Sequence, residues 1–168
     1  MSRCSIVAFV GPHNSGKTGL VERIGTMATD TGWEVGIIKR AARPLSFDRH
    51  GKDSARFVKS GVTRVVTAAP EMLFVQEAWR KPESLKATAR RFGQGIQVWL
   101  VESYVPEKVP WLRVGRPGQR VPVIDRYCIA TVGAKATGST LRHFRLDRPR
   151  ALFGFLHATW LEGHRRRD

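Results

Sequence analysis

Gly11-Pro12-His13-Asn14-Ser15-Gly16-Lys17-Thr18 has the form G-x-x-x-x-G-K-[ST], and it constrains this chain more than any other stretch. Before it runs Ser5-Ile6-Val7-Ala8-Phe9-Val10, short, apolar and rich in strand-forming residues. After it, Leu20, Ile24, Met27 and Ala28 recur at helical spacing. A strand, this loop and a helix in succession predict a phosphate-binding loop. Its glycines let consecutive backbone N–H groups turn inward, and the helix start adds unpaired N–H groups and a positive dipole end. Lys17 is the expected bridge between β- and γ-phosphates, and the Thr18 hydroxyl an expected ligand of Mg²⁺.

The next elements extend that beginning into an α/β fold. The first helix is expected from Lys17 to Thr31, stopped by Gly32. Trp33 to Lys39 reads as a second strand, mostly apolar and not alternating, as a strand buried on both faces should be. Further strands are expected at Arg64 to Ala68, Met72 to Gln76, Gly95 to Glu102, Trp111 to Arg116 and within Val121 to Val132. Helices are expected from Pro82 to about Gly93 and from Asp147 to about Leu161. The whole predicts a mainly parallel sheet flanked by helices, of the P-loop nucleotide-binding kind. One domain is drawn over residues 1–162, followed by a basic tail over 163–168.

Two acidic regions qualify as partners of the loop. Glu102 closes the apolar run Val98-Trp99-Leu100-Val101, and ligands of open α/β sheets gather at the carboxyl ends of strands. An acid there is placed to hold Mg²⁺ or its water shell and to assist hydrolysis, although an ordinary loop acid would also fit. The stretch from Arg40 to Ser54 contains Asp48, Lys52 and Asp53, which a switch-like loop would bring to the γ-phosphate and metal. Asp53 or Ser54 would equally serve as the N-cap of the short helix that follows.

Composition narrows the remaining classes. The chain has 168 residues, 42% hydrophobic and 26% charged, enough for one domain with a proper core. No apolar run reaches the length of a membrane span, and no leader pattern opens the chain, so a cytoplasmic protein is expected. Cys4 and Cys128 are the only cysteines and read as small buried hydrophobes, not as metal ligands or a disulfide framework. His13 and His50 lack metal-ligand spacing and read as exposed loop histidines. Trp79, Trp99, Trp111 and Trp160 read as core or interface residues. The net charge of +15 calls for anionic partners, but no nucleic-acid module accompanies it and the Arg165-Arg166-Arg167 cluster reads as a solvated tail. Nucleic acid is therefore not the expected partner.

With these residues in hand the chain resembles the molybdopterin-guanine dinucleotide biosynthesis adapter family, MobB. The likeness rests on the loop Gly11 to Thr18, Gly36-Ile37-Ile38-Lys39, Phe47-Asp48-x-x-Gly51-Lys52-Asp53-Ser54-x-Arg56 with Ser60-Gly61-Val62, Leu100-Val101-Glu102, and Pro110 to Val114. It implies a homodimeric GTP-binding protein with at most slow hydrolysis, working with the guanylyltransferase that attaches GMP to molybdopterin and with recipient molybdoenzymes. GTP and Mg²⁺ are the implied cofactors, at Gly11 through Thr18, Lys52, Asp53 and Glu102. The β-branched and aromatic residues between Trp111 and Ile129 are read accordingly as strands that pair across the dimer. The chain departs from the family pattern where Arg40 and Arg43 stand in a region usually bearing His, and where Ser103 follows Val101-Glu102 in place of Gly. It also lacks an Asn-Lys-x-Asp guanine-reading motif. A second reading stays open at this point: a small P-loop kinase that transfers a phosphoryl group from ATP or GTP, with the Arg40–Arg49 loop as its lid.

Overall fold

The apolar runs of the sequence become neighbouring parallel strands. The computed structural model describes residues 4–41, 56–57, 60–77 and 81–165, with side chains of the last helix to residue 160. Its described contacts separate residues 43–83 from the rest of the chain as a second compact unit, where the sequence reading drew one domain.

The larger unit holds β1 (Ser5–Val10), β2 (Val35–Lys39), β5 (Val98–Ser103), β6 (Trp111–Gly115), β7 (Cys128–Gly133) and β8 (Arg142–Phe144). They form one sheet in the order β2-β5-β1-β6-β7-β8, and every neighbouring pair is parallel. The middle strands are buried on both faces, which is why their sequences are continuous apolar runs; β2, expected to be buried on both faces, is instead an edge strand with Ile37 and Lys39 exposed, and edge strand β8 exposes Arg142 and His143. Helices α1 (Lys17–Asp30) and α3 (Pro149–Arg165) share one face. There Leu20, Ile24, Leu152 and Leu156 pack on Phe9, Leu100, Leu112 and Val132. The other face is closed around Trp111, Val101 and Leu85, the first residue of α2 (Leu85–Arg91). Ser84 caps that helix by accepting a hydrogen bond from the Ala87 amide at 3.2 Å. The Glu107 carboxylate takes the Leu85 amide at 3.1 Å and pairs with Arg40 at 2.8 Å.

The smaller unit contains β3 (Arg64–Ala69) and β4 (Met72–Glu77), an antiparallel hairpin turned at Pro70-Glu71. Both strands, and the break at Pro70, were expected from the sequence; their antiparallel pairing with each other, in a sheet of their own, was not specified by the local pattern. The Arg64 guanidinium ties its open end to Glu77 at 3.0 Å. Val66, Met72 and Leu73 are more than half exposed on it.

Two further expectations change. Trp111 and Leu112 are wholly buried, and β6 lies between β1 and β7. The apolar residues of β6 and β7 therefore reflect the interior of the sheet, and give no ground for strands pairing across a dimer. The run Val121 to Val132 is strand only from Cys128, because Asp125 bends the chain before it. One Asp125 carboxylate oxygen accepts from the Tyr127 amide at 2.8 Å, the Cys128 amide at 3.2 Å and the Trp111 indole at 2.8 Å. The tryptophans 99, 111 and 160 and Cys128 are core residues, whereas Cys4 is half-buried; Trp79 lies outside the described residues.

Candidate functional site

Because all six strands run the same way, their carboxyl ends meet along one edge of the sheet. β1 delivers the loop Gly11–Gly16 to that edge and α1 carries the chain away. The loop is held tightly. A Cβ on Gly11 would stand 1.9 Å from the carbonyl oxygen of Val114, the backbone of the next strand, so only glycine fits. Gly16 adopts φ 93° and Asn14 φ 57°, left-handed conformations that aim the intervening amides inward. Ser15 is fully buried, His13 is exposed as expected, and Gln119 Nε2 donates to the His13 carbonyl at 3.2 Å. Leu146 lies against Gly16 from the segment after β8.

Lys17 sits at the first turn of α1 with its side chain folded back over the loop. Its Nζ donates to the Pro12 carbonyl at 2.6 Å and to Ser15 Oγ at 3.3 Å, and the residue is buried. Burial pushes its ammonium below the ordinary lysine range; the Glu102 carboxylate opposes that shift and Lys39 adds to it. A lowered folded-state value means that the unfolded chain binds this proton more tightly. Stability of the nucleotide-free protein should therefore rise with pH between the depressed value and the usual lysine pKa, and the contribution is unfavourable below that window. In Lys17→Met the rise should be smaller. Denaturant unfolding of both proteins between pH 7 and 10.5 measures it, and parallel curves would show that Lys17 carries no burial penalty.

Glu102 comes to the same place from β5, which pairs directly with β1 in register Phe9↔Glu102. Thr18 Oγ1 donates to Glu102 Oε2 at 3.0 Å, and Lys39, at the end of β2, stands 3.7 Å from the same oxygen. These three residues line a cleft of about 510 Å³ that continues between α1 and β2 past Val21 and Ile37. Ser103, which stands where the family pattern has glycine, solves the turn differently. It is buried, its Oγ donates to the Val105 carbonyl at 2.8 Å, and the Val105 amide returns a bond at 3.3 Å. A hydroxyl thus closes the bend without a positive φ.

Of the residues selected from the sequence, Gly11, Pro12, His13, Asn14, Ser15, Gly16, Lys17, Thr18 and Glu102 stand together. Asp48, Lys52 and Asp53 lie outside the described residues. Among the described residues no three His, Cys, Asp or Glu side chains gather as a metal cluster. Lys39 entered only as part of the family likeness, and Gln119 not at all, so neither was proposed as a site residue; Lys39 closes the strand beside β5, a signal available once the sheet order is known. On the other side of the loop a cleft of about 580 Å³ is lined by Arg23, Arg116, Gly133, Arg145, Leu146 and Asp147.

Comparison with known proteins agrees with this geometry. The adapter protein of molybdopterin-guanine dinucleotide biosynthesis from Haemophilus influenzae is 29% identical over 128 residues, covering 74% of this chain and 72% of that protein. The Escherichia coli K12 adapter is 26% identical over 132 residues, covering 74% and 75%. The crystal structure of Bacillus subtilis MobB superposes with a TM-score of 0.72 at 21% identity, covering 91% of this chain and 96% of that one, which establishes the fold. Residues 6–136 match the family described as molybdopterin guanine dinucleotide synthesis protein B. A P-loop at the carboxyl edge of a parallel sheet, a strand-end acid on its threonine and this extended match lead to one conclusion: the chain belongs to the MobB family.

Proposed function

We propose that the chain is a GTP-binding adapter in molybdopterin guanine dinucleotide biosynthesis, holding GTP with Mg²⁺ on the loop Gly11–Thr18. The observation that carries this is the Thr18–Glu102 pair at 3.0 Å, beside a buried Lys17 whose ammonium, among the described residues, donates to the neutral oxygens of Pro12 and Ser15. A hydroxyl and a carboxylate side by side suit a hard cation that keeps several waters, and the buried ammonium suits phosphate oxygens. The inward amides of the loop from Gly11 through Gly16 bind the phosphates, and Lys17 binds the β- and γ-groups. Thr18 and Glu102 hold the metal; Lys52 and Asp53, which lie outside the described residues, are further candidates on sequence grounds alone. Mg²⁺, when bound, neutralises charge on the triphosphate. Glu102 holds and orients water at that position, and hydrolysis is at most slow, as the family resemblance implies. The family match and the named relatives favour the adapter over a kinase.

The guanylyltransferase and the recipient molybdoenzymes are the proposed partners, in the cytoplasm. Among the described residues no helix is long and apolar enough to cross a membrane. A homodimer is proposed as well, and the support for it is the hairpin, which exposes Val66, Met72 and Leu73. Light scattering at micromolar concentration should give twice the chain mass without nucleotide; a monomer there would refute the dimer. Titration of the protein with GTP and ATP, with and without Mg²⁺, tests the nucleotide reading. Magnesium-dependent GTP binding is expected.

A further inference from the structure

The cleft beside the loop, on the side away from Glu102, has no role in the phosphate chemistry above. Thr18, Glu102 and Lys39 fix the metal and γ-phosphate side of the loop toward β5 and β2. The other end of a nucleotide must then leave toward β6, β7 and β8. That is where the second cleft opens, between Arg23 of α1, Arg116 after β6, Gly133 ending β7, and Arg145, Leu146 and Asp147 after β8. Its volume of about 580 Å³ falls in the range of small-molecule sites. Leu146 abuts Gly16, so the cleft begins at the phosphate loop itself.

Three guanidiniums line the cleft and Asp147 supplies the one carboxylate. The Arg145 fork grips that carboxylate, Nε donating to Oδ1 at 2.9 Å and Nη2 to Oδ2 at 2.7 Å. The fork fixes the plane of the carboxylate yet leaves it accessible, with both residues 63% exposed. A carboxylate has about four lone-pair sites, so each oxygen can still accept a bond from a ligand. Arg145 also holds the group far below the usual carboxylate range, at about 2, so it stays ionised at any working pH. An ionised carboxylate repels another phosphate and selects a ligand edge with two adjacent N–H donors. The N1–H and exocyclic 2-amino group of guanine present such an edge. Adenine presents the N1 lone pair there, against negative charge.

We infer that the cleft takes the nucleoside end of the bound nucleotide and that Asp147, positioned by Arg145, reads guanine in this chain, which lacks the Asn-Lys-x-Asp motif. The inference rests on the proposed nucleotide binding at Lys17. The test is calorimetric titration of GTP, ATP and XTP, each with Mg²⁺, into the wild type, Asp147→Asn, Asp147→Ala and Lys17→Ala. The wild type should prefer GTP. Asp147→Asn keeps one acceptor and turns the other into an amide donor, which matches the N1–H and C2 carbonyl of xanthine. It should lose roughly ten- to hundredfold in GTP affinity and come to prefer XTP. Asp147→Ala should lose the GTP preference without gaining XTP, and Lys17→Ala should weaken all three. If Lys17→Ala weakens all three while the Asp147 variants leave the order of the bases unchanged, base reading by Asp147 is overturned and phosphate binding stands. If no triphosphate binds the folded wild type, both fall together.

Discussion

Lys17→Ala is expected to lose GTP affinity by a hundredfold or more while keeping the wild-type fold. The loss follows from the position of the ammonium. Lys17 is buried in the loop, where the effective dielectric is lower than in water, and charge-assisted bonds to phosphate are about twice as strong as neutral ones. A desolvated ammonium that meets two phosphate groups supplies on the order of 3 kcal/mol, roughly a hundredfold, and the alanine supplies none. The fold should survive because, among the described residues, the hydrogen bonds of Nζ go to Pro12 and Ser15 of its own loop. Circular dichroism and a thermal melt check the fold, and calorimetry reads the affinity. Undiminished GTP binding in a folded Lys17→Ala protein would remove the loop from the account.

Glu102→Gln is expected to separate metal from phosphate. A carboxylate near a triphosphate is repelled unless a cation stands between them. Glu102 should therefore favour GTP binding only when Mg²⁺ is present. The glutamine variant should bind GTP with Mg²⁺ about tenfold or more weakly, and should bind as well as the wild type, or better, when the metal is chelated. Any hydrolysis should slow as well. Thr18 keeps a hydrogen-bonding partner in the amide oxygen of the variant, so the geometry at 3.0 Å need not collapse. Equal losses with and without Mg²⁺ would make Glu102 a structural residue and pass the metal to Asp53.

The loop proposed to hold the phosphates was legible in the sequence because its chemistry is local. The loop needs glycines, a lysine and a threonine at fixed spacing, and a helix begins where the spacing requires. Glu102 was legible for a different reason: a strand buried on both faces ends in an acid, and parallel strands put such ends together. The rest depends on strand order. Nothing local places Arg23, Arg116 and Asp147 around one cleft; the order β1-β6-β7-β8 does. Asp147 reads in sequence as the start of the last helix, and β8 is three residues of mixed polarity, Arg142-His143-Phe144, too short to show a period. The strands of the hairpin were legible but their pairing was not, and the bend at Asp125 was missed, because apolar β-branched runs do not reveal which partner they pair with or where a side chain interrupts them.

The most direct test is a titration of GTP into the wild-type protein, with Mg²⁺ and again in excess chelator. Saturable binding of one GTP per chain, tightened when Mg²⁺ is present, is expected. A folded protein that gives no saturable GTP binding in either condition would contradict it.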